Sequence, residues 1–139
     1  MIKRRDLLKT APVLAAAAGP LWGAGAPKLP NTVIDESKAQ LTHEPFGDQR
    51  IYFQGSTGQV QSMTAGSLRL KPGMSPHPPH QHPEEEFMVI TEGTAEITVE
   101  GKPFQASPGS MMYCAGGKLH GITNTGKTPL LFYFYKWKA

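Results

Sequence analysis

Turn-forming residues recur along this chain at intervals too short for anything but strands. Lys71-Pro72-Gly73, Glu92-Gly93, Glu100-Gly101, Pro108-Gly109 and Asn124-Thr125-Gly126 each combine residues that preset or permit a reversal of direction. Between Gly93 and Gly101 the pattern alternates: Ala95, Ile97 and Val99 form one apolar face, and Thr94, Glu96, Thr98 and Glu100 the polar one. Leu68 and Leu70 alternate likewise with Ser67, Arg69 and Lys71. Strands are expected at 50–54, 59–71, 87–91, 94–100, 111–114, 120–124 and 130–137. No segment keeps a helical period, and 15 Gly with 13 Pro suit turns better than long helices. Short strands punctuated roughly every 8 to 12 residues indicate an all-β sandwich or barrel. At 139 residues it is one domain, large enough for a core without disulfide staples.

One loop carries the chemistry. Between Gly73 and Phe87 lie His77, His80 and His82, three of the five histidines, followed by Glu84, Glu85 and Glu86. Imidazole and carboxylate grouped in this way are what a divalent-metal site is built from. His80 and His82 are two apart, so on an extended backbone they face the same way, with Cα atoms about 6.6 Å apart. Pro83 interrupts that strand, and the glutamates open the next one beside the pair. If His77-Pro78-Pro79-His80 is polyproline-like, His77 and His80 share a side, and His77 lines the mouth of the site or replaces a ligand. The plainer reading, a solvated loop histidine, is favoured. His43 is expected to be structural.

These residues resemble the cupin family. Its first motif has two histidines one residue apart, Glu after three more and Gly after six. His80, His82, Glu86 and Gly93 keep that spacing, with Gly73 one residue further upstream than the pattern places its leading glycine. The second motif is matched by Gly109, Ala115 (where proline is usual), Gly117, His120 and Asn124. The two motifs cover residues 73 to 124. The resemblance implies a single-domain, jelly-roll-like β-barrel and a mononuclear divalent metal held by His80, His82, Glu86 and His120. Fe, Mn, Ni, Cu and Zn are all compatible with that mixed set. By spacing, Glu86 is the ligand, and Glu84 and Glu85 are expected to face solvent. Cys114, Met111 and Met112 invite a copper reading, but core packing explains them better.

The pI near 9.1 does not imply a nucleic-acid partner. Lys3, Arg4, Arg5 and Lys9 are four of the fourteen basic residues, and from Pro27 onward ten basic residues face ten acidic ones. Arg4-Arg5-Asp6-Leu7-Leu8-Lys9, followed by an Ala-rich stretch, resembles a twin-arginine export signal. Residues 1–26 are therefore expected to be a signal peptide, 27–49 an extended arm and 50–139 the barrel. The export machinery is the expected partner of that signal, and the mature protein is expected to be periplasmic or otherwise exported, without a membrane anchor. Cys114 is the only cysteine, so no internal disulfide can form. The aromatic run Phe132, Tyr133, Phe134, Tyr135 and Trp137 is expected to supply core and a homodimer contact. The expected function is a metal-dependent oxygenase, isomerase or lyase acting on a small oxygenated molecule, with Glu86 as a possible proton shuttle. The alternative is a non-catalytic module that binds a sugar, an organic acid or the metal itself.

Overall fold

The computed structural model describes residues 26–139. The twin-arginine motif lies outside them. Nine strands follow in order: β1 (Gln40–Glu44), β2 (Gly47–Gly55), β3 (Ser62–Leu70), β4 (Glu85–Glu92), β5 (Ala95–Val99), β6 (Lys102–Ala106), β7 (Met111–Cys114), β8 (His120–Asn124) and β9 (Leu130–Lys138). A six-stranded sheet has the order β1-β2-β3-β9-β4-β7, and a three-stranded sheet the order β6-β5-β8. Every strand pairing is antiparallel. The two sheets form an all-β, jelly-roll-like sandwich, and the side chains between them are the core.

The core follows the alternation. Leu68, Leu70, Met88, Ile90, Ala95, Ile97, Met112, Ile122, Phe132 and Phe134 are all buried, whereas their strand neighbours Phe87, Met111, Tyr113 and Tyr135 are exposed. Gly93 turns β4 into β5 with φ of +83°, and a Cβ there would stand 2.7 Å from the Pro129 carbonyl oxygen, so no other residue fits without strain.

The structure adds two strands to the expected set: β1 lies inside the segment expected to be an arm, where β2 also begins at Gly47, and β6 follows β5. Lys102–Ala106 pairs with β5, bringing Pro103 opposite Thr98. A proline inside a strand argues against a central position, and β6 is at the sheet's edge, where its missing N–H disturbs no inner ladder. The 27–49 segment is bound to the sheet. Lys28 bridges Ser56, a 3-10 turn occupies Glu36–Lys38, and β1 pairs along β2. Among the described residues no helix is long and apolar enough to cross a membrane.

Candidate metal centre

Three pieces of chain converge on one point. The loop from Gly73 to Glu84 runs along β8 as a strap, held by backbone bonds. His80 and His120 exchange both of their N–H···O bonds at 2.9 Å, Gly73 N–H donates to Asn124 O at 2.9 Å, and Gly117 N–H donates to His82 O at 2.7 Å. Two glycines let the strap lie that close. A Cβ at Gly116 would meet the Pro83 carbonyl oxygen at 2.3 Å, and one at Gly121 would meet Pro79 at 3.2 Å. The strap thereby delivers His80 and His82, β4 delivers Glu86, and β8 delivers His120.

The ligand atoms of His80, His82, Glu86 and His120 all lie within 4.8 Å of one another. Trans donors about 2.1 Å from a common ion stand about 4.2 Å apart, so the set is close to a closed shell. Hydrogen-bond arithmetic bears on what fills it. His82 Nδ1 lies 3.1 Å from the Glu84 carbonyl oxygen, and His120 Nδ1 lies 3.1 Å from the Lys118 carbonyl oxygen. A carbonyl only accepts, so each Nδ1 carries the proton. The Nε2 atoms of the same rings lie 2.9 and 2.8 Å from Glu86 Oε2, a second acceptor. Both rings then either carry a second proton or present an Nε2 lone pair to a cation shared with Glu86. Backbone carbonyls clamping the distal nitrogens are what orients ligating histidines in metal sites.

The electrostatics agree. Burial works to raise the Glu86 carboxyl, but hydrogen bonds and charge from His120 and His82 outweigh it and leave the group below its usual value. Burial works to lower His120, and the bond to Glu86 overcomes it, raising the imidazole. His80 is pushed down to about 4, first by burial and then by the neighbouring His77, His120 and His82. It is therefore neutral near pH 7, with a lone pair to offer.

The residues picked out by sequence thus come together as a single cluster. Two neighbours depart from expectation. Glu84 does not face solvent: its Oε2 lies 3.2 Å from His82 Nδ1, and the side chain is only 22% exposed. The break at Pro83 is legible in the sequence, but the direction in which it aims the Glu84 side chain is not. His77 is no solvated loop residue, because its ring stacks on His80 with centroids 3.6 Å apart and lines the same cavity. Glu85 accepts a hydrogen bond from Tyr113 at the surface, at 2.6 Å. His43 pairs with Asp48 on the β1–β2 hairpin, at 2.7 Å. Cys114 is buried with Sγ 3.6 Å from the Ala115 and Lys118 carbonyl oxygens, and burial raises its thiol, so it lies outside the ligand cluster.

The cluster opens into a cavity of ≈ 390 Å³ between the sheets. Phe46, Leu68, Met88, Ile122, Phe132 and Phe134 form its apolar wall, while Glu44, Gln49, His77 and Lys136 supply further polar groups. The inward aromatics of β9 therefore line the site as well as the core. Lys136 and the wall from β1 and β2 were not foreseen from the sequence, and only the inward parity of β9 could have pointed to Lys136.

A double-sheet jelly roll with a three-histidine, one-glutamate cluster at its open end defines the cupin class. Residues 66–135, about half of the chain, match the Cupin domain family, and the chain belongs to it. The mannose-1-phosphate guanylyltransferase ManC of Salmonella typhimurium is 28% identical over 104 residues, 70% of this chain but 21% of that one. The chain thus spans about a fifth of the length of the guanylyltransferases it matches. The dimethylsulfoniopropionate lyase DddW of Ruegeria pomeroyi is 29% identical over 121 residues, covering 84% of this chain and 78% of the lyase. Among solved structures, an RmlC-like cupin from Shewanella frigidimarina superposes with a TM-score of 0.65 at 14% identity, over 79% of this chain and 93% of that one.

Proposed function

We propose that this chain binds one divalent metal ion through His80, His82, Glu86 and His120 and acts as a mononuclear metal-dependent enzyme on a small oxygenated molecule. The observation carrying this reading is the hydrogen-bond arithmetic: two imidazoles with Nδ1 committed to carbonyls turn Nε2 toward one buried carboxylate oxygen. A shared cation satisfies all of them. A bound ion supplies Lewis-acid or redox chemistry. The chain's own residues do the rest. The strap and β8 hold the imidazoles, the apolar wall excludes water from the reacting end, and Glu86 is placed to take and return a proton. Of the oxygenase, isomerase and lyase readings, the lyase is favoured because the relative aligned over most of both chains is one.

One observation favours the second reading, a non-catalytic binding module: the buried carboxylate at the centre is itself a ligand, so the cluster contains no independent general base. Metal analysis of protein from its native compartment, followed by assays of metal-loaded and chelated protein on lyase, isomerase and oxygenase substrates, separates the two. One ion per chain with metal-dependent turnover supports the enzyme. One ion with ligand binding but no turnover supports the module, and no stoichiometric ion removes both.

Residues 1–26 support export by the twin-arginine route. That route moves folded proteins, so the site would fill before export, protecting a weak binder such as Mn or Fe from displacement. Equal zinc or copper occupancy in retained and exported protein would count against this. The exposed Phe87, Tyr113 and Tyr135 on the outer face of the larger sheet support a homodimer, which sedimentation of the purified protein tests.

A further inference from the structure

The inner face of the six-stranded sheet is layered. Leu68, Phe132 and Ile90 stand side by side across β3, β9 and β4, and the next inward row is Gly66, Phe134, Met88 and Met112. The row nearest the opening changes character, running Thr64, Lys136, Glu86 and Cys114. Lys136 therefore occupies an inward position of β9 beside the metal ligand Glu86, where opposite Cα atoms stand about 4.5 to 5.5 Å apart. It lines the same cavity as His80, His82 and Glu86.

An inward lysine usually has a carboxylate partner. Among the described residues Lys136 has no ion pair. The opposite Glu86 gives Oε2 to two imidazoles, and Glu44, which shares the cavity, has no cation partner among the described residues. The one described contact of the ammonium is with the ring of Phe134, 5.9 Å from its centroid. A cationic group is thus held over an apolar wall, next to the ligand cluster.

We propose that Lys136 anchors the carboxylate of a small organic acid beside the metal position. This deepens the reading above and rests on it. Charge selects the class. Glu84 meets His82 at Nδ1, the nitrogen turned from Glu86, and does not line the cavity. Among the groups that do line it, and with a divalent ion in place, Lys136 adds one positive charge while Glu86 and Glu44 supply two negative ones, leaving a single positive charge. That balances a monocarboxylate; a neutral sugar leaves it unbalanced and a phosphate ester dianion exceeds it. The cavity also suits a short, partly apolar body, with Phe134 and Phe132 in the rows next to the charged one and Ile122 on the facing sheet.

The test loads full-length protein with Co(II), whose absorption reports occupancy, and titrates butanoate, its neutral isostere butanamide, and propyl phosphate by calorimetry. Wild type binds butanoate about tenfold more tightly than butanamide, as a charge-assisted hydrogen bond supports, and more tightly than propyl phosphate. Lys136→Met lowers the butanoate/butanamide ratio about fivefold or more at unchanged Co(II) occupancy, Lys136→Gln does the same, and Lys136→Arg keeps it. An unchanged ratio in both neutral variants overturns the proposal, as does a wild type that binds butanamide as tightly as butanoate. Tighter binding of propyl phosphate transfers the site to phosphate esters and overturns it too. Failure to take up Co(II) sinks the metal reading by itself. The same ratio, measured in metal-free wild type and variants, then decides the role of Lys136.

Discussion

Asn124 is the residue on which the link between strap and sheet converges, and replacing it tests how the site is held. Its side chain has no solvent exposure. Nδ2 donates to the Leu70 carbonyl at 3.0 Å and the Thr128 carbonyl at 2.9 Å, while Oδ1 accepts from Gly126 N–H at 2.9 Å. Its backbone bonds to Gly73 and Met74 at the root of the strap. Asn124→Leu keeps the volume and removes all three side-chain bonds. The Leu70 carbonyl is left buried, at a cost of about 1–3 kcal/mol, whereas the groups of Thr128 and Gly126 lie nearer solvent and recover part of theirs. The expected loss is about 2–5 kcal/mol in urea unfolding of metal-free protein. Asn124→Asp puts a carboxylate oxygen against two carbonyls. Burial and those acceptors raise its pKa in the fold above the unfolded value, so its relative stability is best in acid and is lost as pH rises through the folded pKa. The protonated acid still donates one bond. A leucine variant within about 1 kcal/mol of wild type would refute the reasoning, as would an aspartate variant whose deficit relative to wild type is the same at acid and neutral pH.

Gly116→Ala drives its Cβ into the Pro83 carbonyl, so the strap must shift; metal affinity is expected to fall about 10-fold or more by titration, with the far strands unperturbed in amide exchange. Metal-free protein is expected to lose stability as pH falls from 6.5 toward about 4, because the unfolded chain protonates His80 in a window where the fold resists it. Glu86, lowered in the fold, adds loss in the same direction at lower pH, and His120, raised in the fold, opposes it. His80→Gln should therefore flatten the slope between those limits in urea titrations at fixed pH. Tyr113→Phe removes only an exposed bond to Glu85 and should change the urea midpoint by less than about 0.5 kcal/mol in equivalent stability.

Much of the fold was legible because it rests on short-range chemistry. Alternation at Ala95, Ile97 and Val99, and turn pairs such as Glu92-Gly93, state strand and reversal within a few residues. The strand at 102–106 was hidden because Pro103 and the exposed Lys102 and Phe104 erase the apolar face, as suits an edge. In the site, His80, His82, Glu86 and His120 were readable through motif spacing. What spacing could not show is made by backbone atoms, above all the carbonyls of Glu84 and Lys118 that fix the two imidazoles. Glu84 was misplaced because the break at Pro83, legible in itself, does not say which way the next side chain is aimed. Lys136 lies 50 residues from Glu86 and meets it only through strand register.

That register explains how one short loop can specify a site it does not complete. The strap's two histidines are placed by bonds to β8 and to the loop before it, so the identities at Gly116, Gly117 and Gly121 matter as well as those of the cluster. The sheet supplies Glu86 and Lys136 from neighbouring strands locked by the β4–β9 ladder, and a one-residue slip of β4 there would turn Glu86 outward while β3 keeps Lys136 inward. The ligand shell and the charge beside it are therefore set by two separate pairings, strap on β8 and β4 on β9. Damage to the first should loosen the metal and leave the cavity's charge intact. Changing Lys136 alone should leave the metal held and alter what lies next to it.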